Sequence, residues 1–131
     1  MISRRSPAAR LIALASLAVA VACAPRVTVT PLGAERTYPA TPDSVAISLY
    51  ATTTPECPYD EVAAVTAEGR GLMSSEPEVL AALKAKARAV GGHAIIGYTQ
   101  SKRATGAGSE SYDIPVRSGT AIRFRSADCT K

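Results

Sequence analysis

Apolar side chains recur at helical spacing along one stretch of this 131-residue chain, from Val79 through Leu80, Leu83 and Ala87 to Val90. The signals around the stripe agree with it. Ser75 precedes Glu78 by three residues, a capping-box spacing. Pro77 falls in the first turn, where a missing N–H costs nothing. Glu76 and Glu78 lie at the positive end of the helix dipole; Lys84, Lys86 and Arg88 lie toward the negative end. Gly91 and Gly92 supply a stop, so the pattern predicts a helix over 76–90. Elsewhere the period is two. Val45, Ile47 and Leu49 alternate with Ala46, Ser48 and Tyr50 in a strand over 45–53, which Pro55 and Pro58 break. A second strand over 59–68 is expected to run antiparallel to it. Ala94 to Thr99 is apolar enough for a buried strand, and Thr120 to Arg125 forms the last. The fold class expected is α+β: a small sheet of about four strands in the order β-β-α-β-β, with one helix packed on one face.

The linking segments read differently. Residues 24–44, with Pro25, Pro31, Pro39 and Pro42, hold no sustained period. Val27 and Val29 suit a short extended piece, but the stretch reads mainly as a semi-rigid tether. Ser101 to Ser111 has no aliphatic side chain larger than alanine and two glycines, so it is expected to be a flexible loop or projecting arm outside the core.

The start of the chain changes the picture. Arg4, Arg5 and Arg10 precede twelve uncharged residues, Leu11 to Ala22, and small residues lead into Cys23. This is the layout of an export signal, and the apolar run is well short of the roughly 20 residues that span a bilayer. Ala20-Val21-Ala22-Cys23 resembles the lipobox of bacterial lipoproteins. That resemblance implies cleavage before Cys23, acylation of its thiol and new amine, and anchoring through the acyl chains. The alternative is an ordinary signal cut after Ala22 that leaves Cys23 a free thiol. In lipoprotein sorting, Asp after the cysteine retains the protein in the inner membrane; Ala24 there implies the outer membrane, facing the periplasm. The organisation expected is a signal over 1–22, an acylated cysteine and tether over 23–44, and an α+β domain over 45–131 with its flexible loop at 101–111.

Charge and cysteines follow from this division. The chain carries 15 Lys and Arg against 11 Asp and Glu, but three arginines lie in the export segment, leaving a nearly neutral remainder. The basic balance therefore does not point to nucleic acid, and no basic run with interleaved aromatics appears. With Cys23 assigned to lipid, Cys57 and Cys129 form an even pair. In an oxidising compartment they read as a disulfide worth roughly 3–4 kcal/mol to a small domain.

Three stretches carry a further likeness: Pro58-Tyr59-Asp60-Glu61-Val62, the helix end running through Val90-Gly91-Gly92-His93-Ala94-Ile95-Ile96-Gly97, and Ser118-Gly119-Thr120-Ala121-Ile122. Together they resemble the small α+β domain of the YbjQ-like proteins and of the envelope lipoprotein that senses damage for the Rcs phosphorelay. The likeness covers residues 45–126 and implies a non-enzymatic binding or envelope-sensing module. His93 stands where those families carry Asn or Asp, residues that suit a tight turn with positive φ. The Rcs lipoprotein pairs more cysteines than the two kept here, so its specific signalling is not carried over.

Candidate sites are few. A metal-binding alternative would use Cys57, Cys129 and His93, but C-x-x-C spacing is absent and the bland reading is a turn histidine beside a disulfide. A small-hydrolase alternative would join a serine, such as Ser109, to His93 and Asp60 or Asp113; no G-x-S-x-G elbow supports it. No catalytic residue, metal or cofactor is assigned. Arg123 and Arg125 share one face of the last strand and Arg117 extends it, either as a solvated face or as a site for an acidic partner or lipid headgroup. The partners expected are the bilayer, through Cys23, and an envelope protein.

Overall fold

The computed structural model describes residues 24–33, 37–71 and 74–130. The segment 1–22 expected to be an export signal, and Cys23, lie outside the described residues. Within them, five strands and one helix occur in the order β1 (Arg26–Pro31), β2 (Ser48–Tyr50), β3 (Tyr59–Glu68), α1 (Glu76–Ala89), β4 (Ala94–Thr105) and β5 (Tyr112–Phe124). The strands form one sheet in the spatial order β1-β3-β5-β4-β2. Every neighbouring pair is antiparallel except β2 with β4, which is parallel. The α+β class with one helix on one face is present, with one strand more than the sequence suggests.

The helix forms as its sequence dictates. Ser75 is its N-cap, and the Ser75 hydroxyl accepts the Glu78 N–H at 3.3 Å. Gly91 takes a φ of 86° just past the C-terminus, a conformation that favours glycine. Val79, Leu83 and Ala87 are fully buried against Val65 and Ala67 of β3, Ile95 and Tyr98 of β4, and Ala121 of β5. A second, smaller cluster lies on the opposite side of the sheet. There Ala94, Ile96 and Ile122 are packed by Tyr50, Tyr59 and Phe124.

Three expectations are corrected. Residues 26–31 are not tether: they pair in full register with 63–68 of β3 and lay Val27 and Val29 against the main core. Pro25 precedes the ladder and Pro31 is its last paired residue, placements that an edge strand tolerates. Thr41, also assigned to the tether, is buried; its N–H donates to Arg88 O at 2.8 Å and its hydroxyl to Gly92 O at 2.7 Å, closing the helix C-terminus. The strand over 45–53 contracts to Ser48–Tyr50 and pairs parallel with β4, not antiparallel with β3. The prolines of 55–58 turn the chain away before a hairpin can form.

The loop over 101–111 is strand in its first half. Ser101–Thr105 continues β4 and pairs with Tyr112–Val116 of β5, so the segment is the end of a long hairpin that turns at 106–111. Its residues are exposed, and backbone pairing rather than side-chain burial orders them. A bulge bends this hairpin where Gly97 and Tyr98 lie opposite Gly119. Gly97 has a φ of 59°, and a Cβ on Gly119 would collide with Ile95 and come within 3.0 Å of Ile96 O. The Ser118-Gly119-Thr120 stretch therefore needs its glycine for close approach of two backbones.

Candidate functional site

Arg117 and Arg123 alternate along β5 with residues of the other face, so both project to the side of the sheet that carries α1, and Arg125 follows directly after the strand. Arg117 and Arg123 meet opposite ends of the helix. Arg117 is 4% exposed and belongs to the interior: its Nη1 donates to Val116 O at 3.0 Å, and its Nη2 lies 3.3 Å from Glu76 Oε1 at the helix N-terminus. Its assignment as a partner-binding residue is thus corrected, because its guanidinium is enclosed and already bonded.

Arg123 works at the other end of α1. Its Nη1 donates to the carbonyl of Gly91, just past the helix, at 2.9 Å, and its guanidinium lies 5.2 Å from the Tyr38 ring centroid. Arg125 is exposed and donates from Nε and Nη2 to Asp60 Oδ1, at 3.1 and 2.9 Å. Tyr38, Asp60, Arg123, Phe124 and Arg125 together line an open hollow of about 500 Å³. Sequence reasoning missed Tyr38 and considered Asp60 only for a hydrolase; both reach the hollow through pairings between distant segments that no local pattern announces.

The disulfide is present. Cys57 and Cys129 are bonded, with Cα atoms 6.2 Å apart, joining the link before β3 to the short 3-10 turn after β5. That bond overturns the metal alternative in its stated form, because both sulfurs it would use are bonded to each other. Among the described residues no three His, Cys, Asp or Glu side chains converge on a cation-sized site.

His93 is a turn residue held from two sides. Its N–H donates to Ile122 O at 2.7 Å, its Nδ1 accepts the Phe124 N–H at 3.1 Å, and its ring stacks on Phe124 at 6.0 Å. It has no positive φ; Gly91 supplies that, which explains how histidine is accommodated where the resembling families have Asn or Asp. A serine triad needs an imidazole whose Nδ1–H is held by a carboxylate. Here Nδ1 accepts from the backbone, and Ser109 lies in the distant hairpin turn.

Burial, and secondarily the Arg123 charge, lower the His93 pKa from its ordinary value of 6.5. Neutral His93 therefore stabilises the fold fully above the unfolded-state pKa, and that contribution is lost as pH falls through the lower folded value. Asn at this position offers an acceptor that does not titrate. The His93→Asn variant should lose less of its urea midpoint than the natural protein between neutral and mildly acid pH. Parallel losses would show that His93 does not contribute to the acid response.

No known protein family matches the chain, and no curated protein matches it in sequence. Among solved structures, the crystal structure of a Francisella virulence factor, FvfA, is similar at a TM-score of 0.51 and 16% identity, covering 78% of this chain and 99% of that one. At that identity the likeness is one of fold.

Proposed function

We propose that this protein is a lipoprotein anchored in the outer membrane and facing the periplasm, a non-enzymatic binding or envelope-sensing module. The observation that carries the reading is the bonded Cys57–Cys129 pair in a chain that opens with an export signal ending at Cys23. A disulfide of this kind persists in an oxidising compartment. The hollow framed by Arg123, Arg125, Tyr38 and Phe124 is the surface offered to a partner. It combines cationic, aromatic and hydrogen-bonding groups. The resemblance to the YbjQ-like proteins and the Rcs lipoprotein points the same way.

The test is lipidation. Cells fed labelled palmitate should incorporate it into the natural protein and not into Cys23→Ala, and the variant should leave the membrane fraction. A natural protein that takes up no label and fractionates as soluble would overturn the reading.

A further inference from the structure

The pairing of β1 with β3 leaves very little slack before the sheet. Arg26, the first residue of β1, lies three positions after Cys23. Three fully extended residues span about 10 Å. If Cys23 carries the acyl chains, as proposed above, the end of the sheet that holds Arg26 stays within that distance of the bilayer surface.

The residues at this end have the chemistry of a headgroup site. Arg26 stands directly opposite Glu68 across the β1–β3 ladder, and Arg103 Nη2 donates to Glu68 Oε2 at 2.7 Å. Gly69 then leads to Arg70. Arg26, Arg70 and Arg103 are all exposed and line one hollow of about 270 Å³ together with Glu68 and Tyr112. Three guanidinium groups meet one carboxylate there, leaving two positive charges in excess. Among the described residues neither Arg26 nor Arg70 has a side-chain hydrogen bond or ion pair. Two uncommitted guanidiniums around a shallow polar hollow suit bidentate binding of phosphate oxygens, and Tyr112 supplies the amphipathic ring favoured at a membrane interface.

We propose that the Arg26–Arg70–Arg103 hollow docks the domain onto the membrane that anchors it by binding the phosphates of anionic phospholipids. The anchor brings the hollow to the surface, and the surface then orients the sheet. The Arg123 and Arg125 hollow, built on other residues, stays available to a partner.

The full acylated protein is reconstituted into vesicles of phosphatidylcholine, with or without phosphatidylglycerol, and amide hydrogen exchange is followed over 26–31 and 68–71. Exchange should slow by roughly thirtyfold on the anionic vesicles, the two uncommitted arginines adding about 1 kcal/mol each near the surface. High salt should abolish the difference. The Arg26→Gln/Arg70→Gln variant should show none, whereas Arg26→Lys/Arg70→Lys should keep most of it; α1 serves as the internal control. Equal exchange on both vesicle types, with the protein floating on both, would overturn the docking and leave the anchor standing. Protection produced on neutral vesicles by inorganic phosphate alone would make the hollow a free-anion site and also overturn it. A protein that floats with neither vesicle would overturn the lipoprotein reading and the docking together.

Discussion

Breaking the Cys57–Cys129 bond should lower the unfolding free energy by about 4 kcal/mol, the chain-entropy value for a loop closed across 72 positions. Against the 5–15 kcal/mol typical of a domain, that is a large share. The corresponding fall in Tm is roughly 15–25 °C. The effect should exceed that of an average surface staple for a structural reason. The bond ties the link before β3 to the turn after β5, beside the smaller apolar cluster of Ala94, Ile96 and Ile122. Besides the bond, the same two segments are joined by the 3.1 Å contact from Arg125 N to Pro58 O and by the Arg125–Asp60 ion pair, which is partly solvent-exposed. Urea unfolding of the natural protein with and without reductant, and of Cys57→Ser/Cys129→Ser, measures the loss. Coincident curves would show that the pair contributes nothing to the folded state.

Leu83→Ala should cost about 2–5 kcal/mol, the range for deleting a fully buried leucine when its surroundings collapse only in part. Leu83 is 0% exposed and sits at the centre of the stripe that Val79 and Ala87 continue. Its neighbours are sheet residues whose backbones are fixed by ladders on both sides, so they have little freedom to close the void. Leu80 lies on the same helix but only half-buried at the edge of the cluster. Leu80→Ala should therefore lose clearly less, and equal losses from the two would mean that the helix does not pack through its Leu83 face. Denaturant midpoints, with unchanged slopes, are the readout.

What the sequence makes legible here is what local physics decides. The Ser75 cap, the glycines after Val90 and the apolar stripe between them place the helix because each acts within a turn or two. The alternation of Val65 and Ala67 with Thr66 and Glu68 places the end of β3 for the same reason. The cysteine pair is legible through compartment chemistry. What escapes is the choice of partners. Nothing within 26–31 says that β3 will pair with it, and the alternation at 45–50 does not say that β4 will be its neighbour in parallel. The hairpin beyond Gln100 is invisible to a test based on apolar side chains, because its order comes from backbone hydrogen bonds. Arg117 is the clearest case in the candidate site. Its position on a shared strand face is readable; its burial depends on Glu76, forty-one positions earlier, arriving above it.

The spatial order β1-β3-β5-β4-β2 puts the strand that comes last in the chain at the middle of the sheet. β3 and β4 make no ladder with each other; each finds its inner neighbour only when β5 arrives. A chain that crosses a membrane from its N-terminal end must therefore hold its earlier strands unpaired on their inner edges until the final stretch is through. Cys129, just beyond β5, becomes available to Cys57 only after that moment. If the chain is exported as proposed, oxidation of the pair records completed delivery, and a chain cut short before β5 has neither a sheet centre nor a disulfide partner to rescue it.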